Sequence, residues 1–413
     1  MRVTMIPFDR IIAPALPILT DIEQNRVKHY NEKHSWLTFV RVLAYHFTMR
    51  FSSMRELATG LQNAEPILDL LPIPRPTISQ MFTRFDPQLL RTALSRLLAT
   101  IATPENPELA LLGTIHLVDG SHFPTIHRVY WRNEGASRHV KLHLAFHANQ
   151  MVAADFAVTP AQSSERDSFR TLLRPNITYV LDRGSMEFQL LQDVVAADAF
   201  VVLRAYNSIV VNVIEERDVH IPTHLMALWS QVRDCIVQPV NETMDGQSLR
   251  LVECSIGTTT YRLLTNRYDL TTFQIILLYA YRWQIELTFR ALKWTMSGVH
   301  VITEDVRGIQ SFFAGLFFTA ALHIAFQRDC LAQEGYLPPD NQEYDTYTAE
   351  QTQASNDLCR PTAHLAIASF MTHITTRLAL FWKIPKHWLK TLASWIARPF
   401  TDEIVTLLNS HYL

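Results

Sequence analysis

TIHLVDGSHF, residues Thr114–Phe123, marks the point where the chain changes from helical to strand-like sequence. Its apolar run predicts a β-strand that stops at Asp-Gly, a common turn pair. RHVKLHLAFHA from Arg138 and MVAADFAVTP from Met151 predict two more strands. A helical patch then precedes ITYVLDRGS from Ile177, and a second helix precedes FVVLRA from Phe200. Three strands, helix, strand, helix, strand predict a mixed α/β core with antiparallel and parallel strands.

The N-terminal segment, residues 1–108, is predicted to be a helical domain. SMRELATGL opens with a capping box formed by Ser53 and Glu56. TISQMFTRF follows across a proline-rich turn, so the two helices resemble a helix-turn-helix, although such pairs are common in any helical domain. Residues expected to be exposed and available for contacts in a DNA groove are Ser79, Gln80, Thr83 and Arg84.

The remaining chain is predicted to divide into four parts. Residues 109–206 form the first part of the α/β core, and residues 207–266 form an inserted β-rich subdomain. Residues 267–330 complete the core with a long helix from about Thr272 to Met296. Residues 331–413 form a helical C-terminal region.

Composition bounds the function only loosely. The formal net charge is −2, so any nucleic acid must be met by a local basic surface. The four cysteines contain no C-x-x-C pair, which argues against a zinc cluster and fits a reducing cytosol. The N-terminus is a poor signal peptide. The most apolar segment, Ser311–Phe326, is short for a membrane span and favours a buried core helix.

Two aspartates follow predicted strands. Asp119 and Asp182 each come directly after an apolar run, where loops at a sheet edge often carry chemistry. D-G and D-R-G are both good turn sequences, so for either aspartate alone a structural role is the plainer interpretation.

YAYRWQIELTFRALK, Tyr279–Lys293, places polar residues beside a buried helix face. At about 100° per residue, Tyr279, Arg282, Glu286 and Lys293 fall within a stripe of about 60°. That stripe borders the apolar stripe and does not lie opposite it, where a solvated face belongs. The pattern fits either an ion-pair ladder at the core edge or a glutamate held beside the core between cations.

Three carboxylates at these positions would suit hard divalent cations. Mg²⁺ takes oxygen ligands and keeps positions open for phosphates. Two such ions can activate water and stabilise the leaving oxygen during phosphodiester cleavage. The nearby cations would then meet DNA phosphates.

The four residues on the helix follow the spacing Y-x2-R-x3-E-x6-K. This resembles the YREK signature of bacterial insertion-sequence transposases with a DDE catalytic triad, the group called insertion-sequence family four. LVDGSHF and YVLDRGS resemble the first and second aspartate motifs of that group. The resemblance implies a ribonuclease H-like core with a β-rich insertion, and it favours DNA binding by the N-terminal helices.

The resemblance implies a role for each matching residue. Asp119, Asp182 and Glu286 would be catalytic and would hold two Mg²⁺ or Mn²⁺ ions. Tyr279, Arg282 and Lys293 would contact the DNA backbone near the element's end. Arg183, which follows the second aspartate, would join them on a weaker basis.

The implied reaction is cleavage at the element's terminal inverted repeats followed by transfer of the 3′ end into target DNA. Some relatives first form hairpin ends, for which an aromatic side chain such as Trp229, Trp283 or Trp294 would hold a flipped base. The resemblance implies a homodimer that assembles on double-stranded DNA. It also implies a location in the bacterial cytoplasm at the nucleoid, with no membrane as a partner.

Three alternatives remain open. A ribonuclease H-like nuclease could cut DNA without strand transfer, and an inactive derivative could bind DNA alone. An integral membrane protein would depend on Ser311–Phe326 only.

His139, His143 and His147 share one strand face with Lys141 and could bind zinc, although a polar face is the plainer interpretation. His116 and His122 flank Asp119 and could move protons, although structural roles are more common.

Overall fold

The computed structural model describes residues 8–62, 64, 72–101, 107–131, 135–222, 231–244, 246–256, 259–290, 292–293 and 301–333. Met1–Gln327 form one compact unit. Of the second unit, Arg328–Leu413, only residues 328–333 belong to the described part. The predicted helical region 331–413 therefore lies almost wholly outside the described residues.

The first hundred residues are helical where they are described. The helices are α1 (Phe8–Ile12), α2 (Leu16–Asn25), α3 (Trp36–Met49), α4 (Met54–Gln62), α5 (Arg75–Arg84), α6 (Pro87–Thr100) and α7 (Pro107–Ala110). Ser35 caps α3 by accepting the N–H of Thr38, and Asp86 caps α6 by accepting the N–H of Gln88. These caps satisfy backbone donors that have no partner inside a helix.

The capping box predicted for α4 is displaced by one residue. Ser53 Oγ accepts the N–H of Glu56, but the Glu56 carboxylate accepts the N–H of Ser52 and not that of Ser53. Helix α4 packs against α5, and residues 65–71 between them lie outside the described part. The residues predicted to be exposed on α5 are exposed, namely Ser79, Gln80, Thr83 and Arg84. DNA binding by this pair stays a prediction.

One sheet of nine strands forms the centre of the described fold. The strands are β1 (Thr114–Trp131), β2 (Gly135–His147), β3 (Val152–Pro160), β4 (Ile177–Leu181), β5 (Phe200–Arg204), β6 (Val211–Glu216), β7 (Gln231–Pro239), β8 (Leu249–Ile256) and β9 (Thr259–Thr265). Their order across the sheet is β3-β2-β1-β4-β5-β9-β8-β7-β6.

The first five strands confirm the predicted mixed core. Strand β1 pairs antiparallel with β2 and parallel with β4, and β4 pairs parallel with β5. Helix α8 (Glu165–Leu172) leads from β3 to β4, and α9 (Phe188–Ala196) leads from β4 to β5. Both parallel steps thus cross over through a helix, as parallel neighbours require. This arrangement is consistent with a ribonuclease H-like core.

The strands between residues 207 and 266 continue the same sheet. Strand β9 pairs antiparallel with β5, and β8, β7 and β6 follow in turn. The sequence predicted an inserted β-rich subdomain here, with strands joined by a stretch that contains Pro222 and Pro239. Its strand β9 pairs with β5, which would otherwise leave unpaired backbone groups at a sheet edge. The domain boundaries themselves stay predictions.

The long helix predicted from residue 272 is described as two segments, α10 (Thr272–Tyr281) and α11 (Trp283–Arg290). Between them the N–H of Arg282 bonds to the Tyr279 carbonyl, three residues back, which tightens one turn. The backbone of Arg282 keeps helical angles, φ −51° and ψ −32°. Side chains on either side of the turn therefore stay close to the positions that helical spacing predicts.

Helix α12 (Val306–Gln333) packs inside the protein. The segment Val306–Phe326 is long and apolar enough to cross a membrane by composition, yet 72% of its most apolar window is buried in the fold. Its aromatic rings contact rings of α3, β1 and β3 in the pairs Phe312–Phe47, Phe313–Phe123 and Phe317–Phe156. These contacts are typical of a core helix.

Candidate active site

The two predicted aspartates lie side by side where β1 and β4 separate. Val118 of β1 and Leu181 of β4 are the last residues paired in the parallel register. Both belong to the apolar core under α8 and α9. Because side chains alternate across a sheet, the next residues, Asp119 and Asp182, point to the opposite face. That face is the one on which α11 packs against β1.

Strand β1 does not stop at Asp119 as the sequence suggests. It continues to Trp131 because β2 pairs with it on the other side, with Asp119 opposite Leu144. The antiparallel neighbour supplies backbone hydrogen bonds after the parallel neighbour has ended. Asp182 does end its strand, and a short 3-10 turn, Arg183–Ser185, follows it.

Helices α10 and α11 bring three signature residues onto this pair of aspartates. The Tyr279 hydroxyl donates to Asp182 Oδ1 at 3.0 Å. Arg282 Nη2 donates to Glu286 Oε1 at 2.7 Å. Arg282 Nη1 lies 4.0 Å from Asp119 Oδ2, and its Nε lies 4.0 Å from Asp182 Oδ1. One guanidinium, 8% exposed, therefore faces all three carboxylates.

The two aspartates differ in the direction of their pKa shifts. Burial raises the pKa of Asp119 to about 6, although the Gly120 N–H and the charge of Arg282 favour its ionised form. Burial acts in the same direction on Asp182, but there the Arg282 charge and the Tyr279 hydroxyl help to outweigh it and lower the pKa. Asp119 is thus the carboxylate whose charge is less well compensated.

Lys293 reaches the same face through Ser121, two residues after Asp119. Its Nζ donates to Ser121 Oγ at 2.7 Å and lies 4.8 Å from the centre of the Phe123 ring. Burial lowers the pKa of Lys293. The four helix residues of the predicted stripe therefore all lie near the strand ends that carry the aspartates.

Arg183 lies beside these residues in a different setting. Its side chain is exposed, and its guanidinium is 5.7 Å from the centre of the Tyr206 ring. Arg204, at the end of β5, is 4.7 Å from the ring of Tyr261. Both cations lie close to Asp182, and each lies against an aromatic ring.

Sequence reasoning missed Glu165 as a neighbour of the site. Its Oε1 forms an ion pair with Lys141 Nζ at 2.7 Å. A Cβ atom added to Gly120 would lie 3.1 Å from the same oxygen. Its charge also raises the pKa of Asp119. Ser164 caps α8 by accepting the N–H of Asp167, but such a cap does not indicate which way the first turn of the helix faces. The glycine after Asp119, expected to make a turn, instead leaves room for Glu165.

A family profile described as a transposase DDE domain matches residues 112–322, just over half of the 413 residues. The chain belongs to the transposase DDE domain family. The matched range contains the nine strands together with Asp119, Asp182 and Glu286. This transposase is therefore an enzyme that acts on phosphodiester bonds of DNA.

Comparison with other proteins adds little to the family assignment. A solved structure of piggyBac transposase, in a synaptic complex with hairpin DNA, matches this transposase at 10% identity with a TM-score of 0.41. The match covers 95% of this chain and 84% of that chain. No curated protein matches the sequence.

Transposases of this family act with divalent metal ions. The three carboxylates supply the oxygen donors that such hard cations prefer. Among the described residues, however, no group of three His, Cys, Asp or Glu side chains is close enough to hold a metal ion. Nitrogen atoms of the Arg282 guanidinium lie 2.7–4.0 Å from an oxygen of each of the three carboxylates. The oxygen atoms of the three carboxylates are thus of the type that binds a divalent cation, but here they surround the guanidinium of Arg282.

The histidine face of β2 is not assembled as a zinc site in the part of the chain that the structure describes. His143 is buried and bonds to Thr159 Oγ1 at 2.9 Å. His116 packs edge-on against Tyr179, on the face opposite Asp119, and burial lowers its pKa to about 3. His116 is therefore neutral at pH 7 and has a structural role.

Proposed function

We propose that this transposase belongs to the YREK-signature group of bacterial insertion sequences, insertion-sequence family four. The observation that carries the proposal is the convergence of Tyr279, Arg282 and Glu286 on Asp119 and Asp182. Residues more than 90 positions apart in the chain meet in the pattern that the signature predicts. An ion-pair ladder at the edge of the core would not require Tyr279 to bond to a distant aspartate.

Asp119, Asp182 and Glu286 are the catalytic carboxylates of the proposed site and would hold two Mg²⁺ or Mn²⁺ ions. When bound, the ions supply an activated water and stabilise the leaving oxygen of the cut phosphodiester. The sheet fixes the two aspartates, and α11 carries the glutamate to them.

Tyr279, Arg282, Lys293 and Arg183 are the proposed DNA contacts. Their positive charges compensate an acidic site that would otherwise repel phosphates. A guanidinium can hold a phosphate through two parallel hydrogen bonds, whereas an ammonium acts as a point charge. Arg282 is thus suited to fix the orientation of the phosphate, and Lys293 to hold the strand nearby.

The proposed reaction is cut-and-paste transposition of an insertion sequence. Water attacks the phosphorus at the end of a terminal inverted repeat, the bond to the 3′ oxygen breaks, and a 3′-OH and a 5′-phosphate result. The 3′-OH then attacks a phosphodiester of target DNA, and the displaced 3′ oxygen leaves. Two ends require two active sites, so the proposed active form is a homodimer on DNA in the bacterial cytoplasm, at the nucleoid.

Hairpin ends are a variant of this route, in which the 3′-OH first attacks the opposite strand. Of the tryptophans proposed to hold a flipped base, Trp229 and Trp294 lie outside the described residues. Trp283 begins α11, with the guanidinium of Arg290 5.4 Å from its ring. Trp283 is therefore the candidate for holding a flipped base that lies within the described residues, and it follows Arg282 directly in the chain.

The test uses a plasmid that carries the DNA flanking this gene. Purified full-length protein is incubated with it in Mg²⁺ or Mn²⁺, beside the variants Asp119→Asn and Glu286→Gln. Denaturing gels map the cuts on both strands and show hairpins as slowly migrating products. We expect cuts at inverted-repeat ends and joined products with wild-type protein, and neither with the two variants.

The matched control is Glu216→Gln. Glu216 is an exposed carboxylate on the edge strand β6, where it pairs with Arg233. Removing this charge should leave cleavage and joining unchanged. Cuts at scattered positions without joined products would instead identify a nuclease that lacks strand transfer. Binding to the ends without any cuts would identify an inactive DNA-binding derivative.

A further inference from the structure

Arg282 occupies the centre of the carboxylate group. Each of its three guanidinium nitrogens faces a different carboxylate, at 2.7 Å for Glu286 and at 4.0 Å for both aspartates. The side chain is 8% exposed. The cation that lies among the three carboxylates is therefore an arginine of the protein itself.

We propose that Arg282 is a resident counter-cation that holds the site closed until DNA arrives. In the free protein its guanidinium lies among the carboxylates that would hold the metal. In the complex it moves onto a DNA phosphate and leaves the carboxylates to the metal. This inference rests on the proposed function of Asp119, Asp182 and Glu286 as metal ligands.

The two cations cannot share the space. A Mg²⁺ ion binds carboxylate oxygens at about 2.0–2.1 Å, so an ion bridging two of these carboxylates would overlap with the guanidinium between them. Like charges at such separations also repel strongly in a partly buried site. Binding of metal and retention of Arg282 at the centre are therefore alternatives.

A DNA phosphate provides the compensation that Arg282 would lose. Moving a buried guanidinium away from its carboxylates is unfavourable unless another anion receives it. A phosphate does so through bidentate hydrogen bonds. Metal affinity and DNA affinity then strengthen each other by the same factor, as thermodynamic linkage demands. Without DNA the metal binds weakly, so the protein does not carry an assembled cutting site in free solution.

Arg204 provides the matched control for charge alone. It lies beside Asp182 and lowers the pKa of that residue through its charge, but its guanidinium stacks on Tyr261. Removing Arg204 takes one positive charge from the neighbourhood without emptying the space between the carboxylates. Removing Arg282 does both.

The experiment measures Mn²⁺ binding to the full-length protein without DNA, from the electron paramagnetic resonance signal of free Mn²⁺. Wild-type protein is compared with Arg282→Gln and Arg204→Gln, and circular dichroism checks that each is folded. We expect Arg282→Gln to bind Mn²⁺ about tenfold or more tightly than wild type, within the usual range of coupling between sites. Arg204→Gln should change the affinity less than about threefold. Equal affinities for wild type and Arg282→Gln, or equal gains for both variants, would overturn the inference.

A double variant separates this inference from the proposed function. Adding Glu286→Gln to Arg282→Gln should abolish the gain in Mn²⁺ affinity if Glu286 is a ligand. A gain that survives this change means that Glu286 does not hold the metal, and the proposed ligand set is then wrong. Equal Mn²⁺ affinities for wild type and Arg282→Gln that both fall when Glu286→Gln is added would overturn the inference alone and leave the proposed ligand set standing.

A second measurement needs no substitution at Arg282. Wild-type Mn²⁺ affinity is measured with and without a duplex that ends at the mapped cleavage position. We expect the duplex to raise the affinity about tenfold or more. Mn²⁺ affinity that is the same with and without the duplex contradicts the exchange, whether or not the variant folds.

Discussion

Two buried arginines of this protein stand among carboxylates, and they are held in different ways. Arg250, 1% exposed, donates to both oxygens of Asp234 at 2.9 and 2.6 Å and to the carbonyls of Arg267 and Leu270. Arg282 has one such bond, to Glu286, and faces two further carboxylates at 4.0 Å. The first arrangement is saturated and stabilises the fold, whereas the second keeps donors available for another anion.

The saturated pair has a clear structural task. Asp234 on β7 also accepts the hydroxyl of Thr272, the first residue of α10, at 2.7 Å. The inserted strands β7 and β8 thereby hold the start of the helix that carries Tyr279. The fully bonded pair Asp234–Arg250 thus positions α10. The incompletely bonded Arg282 lies at the proposed site, which α10 and α11 approach.

The largest effect that would sharpen this comparison is expected from Asp234→Ala. The variant leaves the Arg250 charge buried without its partner, so the free energy of unfolding should fall by about 3–5 kcal/mol. Chemical denaturation followed by circular dichroism measures this loss. Replacing the pair by Asp234→Leu with Arg250→Met should recover much of it. A loss below about 1 kcal/mol for the single variant would show that the pair behaves as a surface ion pair.

Arg282→Gln should act on cleavage and not on stability. We expect the rate of strand cleavage at the element's end to fall by about 10²–10³-fold, as for the loss of a donor to developing charge. The free energy of unfolding should change by less than about 1 kcal/mol, because the three carboxylates left behind are 27–44% exposed to water. Cleavage rates and denaturation curves of the same preparation test both parts. A stability loss as large as that of Asp234→Ala would remove the distinction between the two arginines.

Tyr279→Phe removes one hydrogen bond to a carboxylate. Bonds to charged groups contribute about 1.5–3 kcal/mol, so we expect cleavage to slow by roughly tenfold to a hundredfold. The control is Tyr268→Phe, because that hydroxyl donates to the Ser248 carbonyl at 2.6 Å in the inserted region. Single-turnover cleavage should be unaffected in the control. An unchanged rate in Tyr279→Phe would mean that the hydroxyl has no part in the reaction.

The smallest effect is expected at Arg170, which also meets three carboxylates. It bonds to Asp167, Glu187 and Asp193 at 2.6–2.9 Å, but its side chain is 29% exposed. Water screens such pairs, so Arg170→Gln should lower the free energy of unfolding by no more than about 1 kcal/mol. Cleavage and Mn²⁺ affinity should stay at wild-type values. A gain in Mn²⁺ affinity here would show that the effect at Arg282 is not local.

The site could be predicted from sequence because its parts are locally encoded. Apolar strands that end at aspartates and a helical stripe beside the core are short-range patterns, and the structure brings Asp119, Asp182 and Glu286 together around Arg282. The mix of antiparallel and parallel strands among the first five also followed from the order of strand and helix patterns along the chain.

The parts that could not be predicted depend on partners distant in the chain. Strand β1 passes through Asp119 because β2 holds it, and the inserted strands join the sheet because β5 offers a free edge. Helical spacing placed Arg282 beside Glu286, but its position between both aspartates depends on how α10 and α11 lie on the sheet. Glu165 was missed for the same reason, since its approach to Gly120 is a tertiary contact.

The two aspartates differ in mechanical support. Asp119 lies inside a strand that β2 continues to pair on both sides of it, whereas Asp182 is the last residue before a turn. Asp119 is therefore a stiff reference point, while the backbone after Asp182 can rotate without breaking the sheet. We therefore expect any adjustment of the proposed site during the reaction to fall on Asp182 and on Tyr279, the residue bonded to it. The proposed site therefore combines a rigid backbone at Asp119 with a more adjustable backbone at Asp182.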